Sequence, residues 1–181
     1  MPDQETQSET INWYDARAAK HAATLGLDEP VLYQVDEFLA NIIKGGVILD
    51  IGGGAGSYTQ HFSEKGYKAI DLDLSNKMLT EAQTRYPDLP LVRSKLEAVP
   101  IQSNVADGIW CHAALQHIPP EEAKDVIKEF SRVLKPNGIV HLFTKEQTGS
   151  DSKTVETDEQ SGFSRTTYLY TLPQMRELFT E

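Results

Sequence analysis

The 181-residue chain carries 17 Lys+Arg against 27 Asp+Glu, a formal net charge of −10, with 39% hydrophobic and 24% charged residues. That length suits one domain, the hydrophobic share excludes global disorder, and the acidity argues against a protein whose affinity comes from neutralising phosphates. The excess acid is local: residues 1–10 have a net charge of −3 and residues 146–160 of −4, which leaves an ordinary surface for the rest.

Lone Cys111 has no partner for an internal disulfide, which fits a reducing compartment. The opening MPDQETQSET has neither the basic nor the apolar stretch of a secretion signal. No apolar run approaches the ~18 residues of a membrane span. A cytoplasmic protein without membrane contact is expected.

Residues 1–11 are polar and read as a flexible terminus. From Trp13 to about Leu25 the Ala-rich WYDARAAKHAATL has helical composition. Pro30 opens a second helix in which Val31, Val35, Phe38, Leu39 and Ile42 recur at helical spacing before Gly45 and Gly46 stop it. Residues 47–51 read as a buried strand, 56–65 as a helix ended by Gly66, and 67–72 as a second strand. Ser75 is placed to cap the next helix, which stops before Pro87. Short strands are expected at 89–93 and 105–111, and a helix from Pro119–Pro120 to Leu134; Asn137 and Gly138 then turn the chain into a fifth strand over 139–144. This alternation predicts one α/β domain over 12–181, a doubly wound, mainly parallel sheet, with cap helices at 12–45 and a ligand-binding core at 46–144. Residues 145–162 have almost no apolar content and read as a mobile acidic loop. Residues 163–170 are extended in character, and Thr171 is placed to cap a last short helix.

The densest chemical signal is VILDIGGGAG at 47–56, where an apolar strand ends in Asp50 and runs into Gly52, Gly54 and Gly56 with a helix behind. Glycines there let the backbone pass close to a ligand, and the helix N-terminus offers free N–H groups. A dinucleotide-binding turn would carry its third glycine at position 57, where this chain has Ser57. A carboxylate such as Asp50 facing the pocket suits an ammonium-bearing ligand better than a pyrophosphate. Asp73 lies 21 residues after Gly52 at the end of the second strand, a spacing that suits hydrogen bonds to ribose hydroxyls and implies an adenosine moiety. A tight turn without a ligand, and an ordinary carboxylate at a helix start, are the plain alternatives. No Cys/His cluster has metal-ligand spacing, so no metal is expected.

With these segments in view, the sequence from about Trp13 onward resembles the class I S-adenosylmethionine-dependent methyltransferases, most closely the small-molecule enzymes of methyltransferase type 11. The likeness is carried by VILDIGGGAG (47–56), AIDLDLSNKML (69–79), LEAVPIQSNVADGIWCHAALQHI (96–118) and RVLKPNGIV (132–140). It implies a Rossmann-like fold and S-adenosylmethionine as cofactor. Asp50, Gly52 and Gly54 would surround the methionine moiety, Gly56 would be a further cofactor-binding residue, Asp73 would hold the ribose and Leu74 would border the adenine. Leu96 and Glu97 fall where the adenine edge is read; one position earlier the family commonly has Asp, and here Lys95 offers no acceptor. Cys111 and His112 would meet the methionine end through main-chain atoms. His117 and His112 are the candidates for an acceptor-side base. Tyr14 would close over the cofactor, and Arg165 and Tyr168 would line the acceptor pocket.

Relatives of this kind continue into an antiparallel strand pair that completes a seven-stranded sheet, so a fold lacking the usual last two strands is expected. Strand five would then be an apolar edge. A truncated chain, a naturally short enzyme and a homodimer covering that edge are the competing explanations. The functional expectation is transfer of a methyl group to a small-molecule acceptor by in-line displacement. A non-catalytic S-adenosylmethionine-binding or scaffold protein is the alternative, with a nucleic-acid methyltransferase or an NAD-dependent oxidoreductase behind it. The acceptor atom is left open: a phenol or ammonium needs a base, and a carboxylate does not.

Overall fold

The computed structural model describes residues 4–24 and 29–180; residues 1–3 and the expected helix end at Leu25 lie outside the described residues. Helices α1 (Gln4–Thr24) and α2 (Glu29–Ala40) precede strand β1 (Val47–Ile51), helix α3 (Ser57–Glu64), strand β2 (Lys68–Asp73), helix α4 (Asn76–Arg85) and strand β3 (Leu91–Arg93). Strand β4 (Ala106–His112), a 3-10 turn (Leu115–His117), helix α5 (Ala123–Val133) and strand β5 (Leu134–Phe143) follow, and then strands β6 (Lys153–Thr157) and β7 (Ser164–Tyr168) and helix α6 (Leu172–Glu177).

Five strands form one sheet in the order β3-β2-β1-β4-β5, with every neighbouring pair parallel. The order reverses between β1 and β4, and in such sheets the crevice at the strands' carboxyl ends at that point is where ligands bind. Successive strand residues point to opposite faces. Ile48 and Trp110 pack with Val35, Phe38 and Phe62, from α2 and α3, on one side. Leu49, Ile51 and Ile109 pack with Val126 and Phe130 of α5 on the other. At the start of β5 the register shifts between Ala106 and Gly108 of β4, and Asn137 takes a positive φ of 64°, so the expected Asn137–Gly138 turn is an irregularity within the strand.

Two segments differ from their sequence reading. Residues 4–11 are helical, and α1 uses them to contact β7: the Glu9 carboxylate accepts from the Ser164 N–H at 3.1 Å and the Thr10 hydroxyl from the Thr166 N–H at 3.3 Å. The acidic 145–162 segment contains β6, which pairs antiparallel with β7 as a separate two-stranded sheet. Two of its five acids have basic partners: Glu156 pairs with Arg165 and Asp158 with Arg17 of α1. A run of polar residues is thus held as a hairpin by pairing to its own β7 and by charges on α1, neither of which local composition shows. Thr171 does cap α6, in a reciprocal arrangement with Gln174.

Candidate active site

After β1 the chain turns through Gly52, Gly53 and Gly54 before α3 begins. Gly52 has a φ of 80° and Gly54 of 64°, a region that L side chains rarely adopt. A Cβ on Gly52 would lie 2.3 Å from the Ala114 Cβ, so the β1 turn and the segment after β4 meet with no room for a side chain between them. Asp73, at the end of β2, ties the turn to the start of α4: Oδ2 accepts from the Gly54 N–H at 3.0 Å and Oδ1 from the Ser75 N–H at 2.8 Å. Burial raises its pKa to about 6 against the pull of those donors. Each carboxylate oxygen keeps acceptor capacity for a further donor. Ser75 caps α4 by accepting from the Met78 N–H at 3.0 Å, and its hydroxyl also meets Asp15 of α1.

These groups floor a cavity of about 260 Å³. Helix α1 roofs it with Gln7, Ile11, Tyr14 and His21, one stripe at helical spacing. Leu74, Leu96 and Glu97 line it beyond Asp73; His112, Ala114, Gln116 and His117 line the β4 side, and Arg165 enters from β7. The segment that carries Leu96 and Glu97 is anchored from behind, where Glu129 accepts from the Val99 N–H at 2.8 Å and Arg132 donates to the Val99 and Ile101 carbonyls, both at 2.9 Å. Two buried acceptor oxygens on the cavity wall have no hydrogen-bond partner: Glu97 Oε2 and Gln116 Oε1.

The structure therefore brings together Tyr14, Gly52, Gly54, Asp73, Leu74, Leu96, Glu97, His112, His117 and Arg165. Asp50, Gly56, Cys111 and Tyr168 do not line the cavity. Asp50 lies beneath the turn, where a Cβ on Gly53 would meet its Cγ at 2.9 Å, and its Oδ2 accepts from the Thr59 hydroxyl at 2.6 Å. It anchors the turn to α3 and is not among the residues lining the cavity. Gly56 packs the start of α3 against Leu89 and Ala82. Cys111 is fully buried, and burial pushes its thiol up to about 12, which excludes a thiolate nucleophile at neutral pH. Tyr168 joins the core beneath α5. Gln7 and Ile11 escaped the sequence reading because it started the helix at Trp13; Gln116 had a signal only in its place between the two histidines.

At the β7 end of the cavity a hydrogen-bonded chain crosses from the strand to the 3-10 turn. Arg165 Nη1 donates to the Tyr14 hydroxyl at 3.2 Å, and that hydroxyl lies 2.9 Å from His117 Nε2. His117 Nδ1 is 2.8 Å from the Thr166 carbonyl, which only accepts, so the ring proton is on Nδ1 and Nε2 accepts from Tyr14. Burial first, then the charges of Arg165 and Lys145, lower the His117 pKa to about 4. Burial also raises the Tyr14 pKa, more than Arg165 lowers it. His112 stacks on Phe143 at 4.4 Å and places Nδ1 3.5 Å from His141 Nε2. Among the described residues no group of three or more His, Cys, Asp or Glu could hold a metal ion, and no helix is long and apolar enough to cross a membrane.

Residues 49–142 match the family described as "Methyltransferase domain". The chain belongs to this methyltransferase family. It is 31% identical over 97 residues to a malonyl-[acyl-carrier protein] O-methyltransferase of Enterobacter lignolyticus, a match covering 54% of this chain and 38% of that one. It is 28% identical over 96 residues to a demethylmenaquinone methyltransferase of Renibacterium salmoninarum, covering 53% and 40%. The matches thus take in about two fifths of the length of these methyltransferases. Among solved structures, the DhpI-SAM-HEP complex superimposes with a TM-score of 0.79 at 19% identity, over 99% of this chain and 90% of that one. An S-adenosylmethionine-dependent methyltransferase of Methanosarcina mazei gives 0.70 at 22% identity, over 78% and 81%. These two likenesses establish the methyltransferase fold.

Proposed function

We propose that this chain is an S-adenosylmethionine-dependent methyltransferase that methylates a small-molecule acceptor by in-line displacement. The observation that carries the reading is the Asp73 carboxylate, held by two backbone N–H groups beside the glycine turn, with acceptor capacity left on both oxygens. A ribose diol meets that capacity. The partnerless Glu97 Oε2, on the wall beyond Leu74, suits the adenine amino group and takes the place of the acid that Lys95 replaces.

When bound, the cofactor supplies a methyl group activated by a sulfonium. The chain's own residues then have little covalent chemistry to perform. Gly52 and Gly54 keep the floor free of side chains, and α1 excludes water from above. Tyr14, His112, His117 and Arg165 shape the space in which an acceptor atom must be held at ~3–3.5 Å and in line. His117 has both nitrogens committed and is held neutral, so its role is to position Tyr14 and through it Arg165. A cavity of about 260 Å³ roofed by α1 and a net charge of −10 favour a small acceptor over a nucleic acid.

Calorimetric titration tests the reading directly. S-adenosylmethionine and S-adenosylhomocysteine should bind with micromolar affinity and NAD should not, and Glu97→Gln should weaken both sulfur ligands. Binding of NAD in preference to either would overturn the assignment.

A further inference from the structure

Resting on the methyltransferase reading, the charge distribution within the cavity points to the chemical class of the acceptor. The two ends of the cavity differ in sign. Asp73 and Glu97 line the cofactor end, with Asp50 and Asp71 buried beneath its glycine floor. At the other end Arg165 is the single Lys or Arg among the described residues that line the cavity. Its guanidinium lies 4.2 Å over the Trp13 ring, and its side chain is 16% exposed. Taking a guanidinium out of water is costly unless anions and acceptors satisfy it. Here the satisfaction is incomplete: Nη1 donates to the neutral Tyr14 hydroxyl, Nη2 pairs with Glu156, and Nε is buried with no acceptor. The Glu156 side chain, 53% exposed on the outer strand β6, is a solvated counter-charge that another carboxylate can displace.

A second, independent observation concerns protons. An acceptor that must lose one before attack needs a base. His117 has its Nδ1 proton on a carbonyl and its Nε2 lone pair on Tyr14, and the Tyr14 hydroxyl has already given its one proton to that bond. Within this hydrogen-bonded chain, neither group has capacity to take a proton from an acceptor held at Arg165 without breaking the chain. An acceptor that arrives as an anion needs no base.

We propose that the acceptor is a small oxyanion, a carboxylate or phosphonate, that exchanges with Glu156 on Arg165 and takes the methyl group on one of its own oxygens. In that step an oxygen lone pair forms the new C–O bond, the methyl C–S bond breaks with its electron pair remaining on sulfur, and no proton moves. The ester product carries one negative charge fewer than the acceptor, so Arg165 holds it less strongly and Glu156 re-pairs as it leaves.

The experiment follows the intrinsic fluorescence of the S-adenosylhomocysteine-loaded protein, using the stacking of Arg165 on Trp13, with Trp13→Phe as the control for the signal. The probes are malonate, methylphosphonate and the neutral malonamide. Malonate or methylphosphonate should give a saturable change and malonamide none, and whichever acid binds more tightly identifies the oxyanion. Arg165→Gln should weaken that binding at least about tenfold, with Arg165→Lys in between. Glu156→Gln, which keeps the shape of an exposed side chain while the β6–β7 backbone pairing is retained, should tighten it by about threefold because the internal competitor is gone. A wild-type protein that binds S-adenosylhomocysteine but responds to neither anion, or as well to malonamide, overturns the proposal and leaves the methyltransferase reading standing. An anion response unchanged in both Arg165→Gln and Glu156→Gln also overturns it. Failure to bind the sulfur ligands at all overturns the methyltransferase reading.

Discussion

The Tyr14 hydroxyl, in the first helix, donates to His117 Nε2 across 2.9 Å and 103 residues of sequence. This bond closes the roof of the cavity onto the turn behind β4. Tyr14→Phe would leave His117 Nε2 buried without a donor and remove the acceptor of Arg165 Nη1. A buried polar group stripped of its partner costs about 1–3 kcal/mol. The expected outcome is a melting temperature lower by roughly 2–4 °C per kcal/mol, with S-adenosylmethionine affinity changed less than about threefold. Melting curves and calorimetry check both halves. A tenfold loss of cofactor affinity would show that Tyr14 acts on the cofactor and not on the acceptor side.

Asp73→Asn separates ligand binding from local structure only in part. The carboxylate offers one oxygen to the Gly54 N–H and the other to the Ser75 N–H, whereas an amide has one acceptor oxygen and a donating NH₂. One of the two backbone groups must lose its partner, and a ribose hydroxyl that donates to the replaced oxygen would lose its acceptor. We expect S-adenosylmethionine to bind at least about tenfold more weakly, a change of about 1.4 kcal/mol or more. We also expect a measurable fall in melting temperature. Unchanged affinity would remove Asp73 from the ribose site.

Much of this site is legible in the sequence because its backbone is local. Gly52, Gly54 and Asp73 follow directly on strand ends, and Ser75 caps its helix through an ordinary N-cap bond. What is not legible depends on side-chain direction and distant pairing. Asp50 is in the right place in the chain but on the wrong side of the turn, bonded to Thr59. The segment around Glu156 has the composition of a free loop; its order comes from β7, whose Arg165 stands directly opposite Glu156, and from Arg17, 141 residues from its partner Asp158. The role of His117 follows from the Thr166 carbonyl, and no spacing rule connects a residue at 117 with a main-chain oxygen at 166.

Gly52→Ala tests the close approach of the β1 turn to the segment after β4. The new methyl would meet the Ala114 Cβ at 2.3 Å, at a φ of 80° that alanine adopts poorly. The obstructing atom is fixed to the backbone, so one of the two segments must move. Strain and overpacking of this kind cost about 1–3 kcal/mol each. The variant should fold with a lowered melting temperature and should lose detectable S-adenosylmethionine binding. Full retention of binding would mean that the turn is not the cofactor floor.

The acid stability of the protein is set by opposed groups, and Asp71→Asn exposes one of them. His117 and His141 are held down to about 4, each mainly by burial. Below the ordinary histidine value the unfolded chain binds protons that the folded chain refuses, so this pair makes stability fall as pH drops from about 6.5 through 4. Buried Asp50, Asp71 and Asp73 are all raised, with desolvation the main cause and mutual repulsion adding to it for Asp50 and Asp71. Above the ordinary aspartate value the folded chain keeps protons that the unfolded chain releases, so this set makes stability fall as pH rises from about 4 through the raised values. The two slopes oppose each other between about pH 4 and 6 and flatten the profile there. Asp71 has both oxygens buried without a hydrogen-bond partner, so an amide in its place would be neutral where a carboxylate is most costly. The Asp71→Asn change should raise the melting temperature by several degrees at pH 8, at roughly 2–4 °C per kcal/mol recovered, and by progressively less toward pH 4.5. Thermal melts of wild type and variant across that range measure the difference. A gain that is constant with pH would show that Asp71 has the same pKa folded and unfolded, and that its cost is one of shape and not of charge.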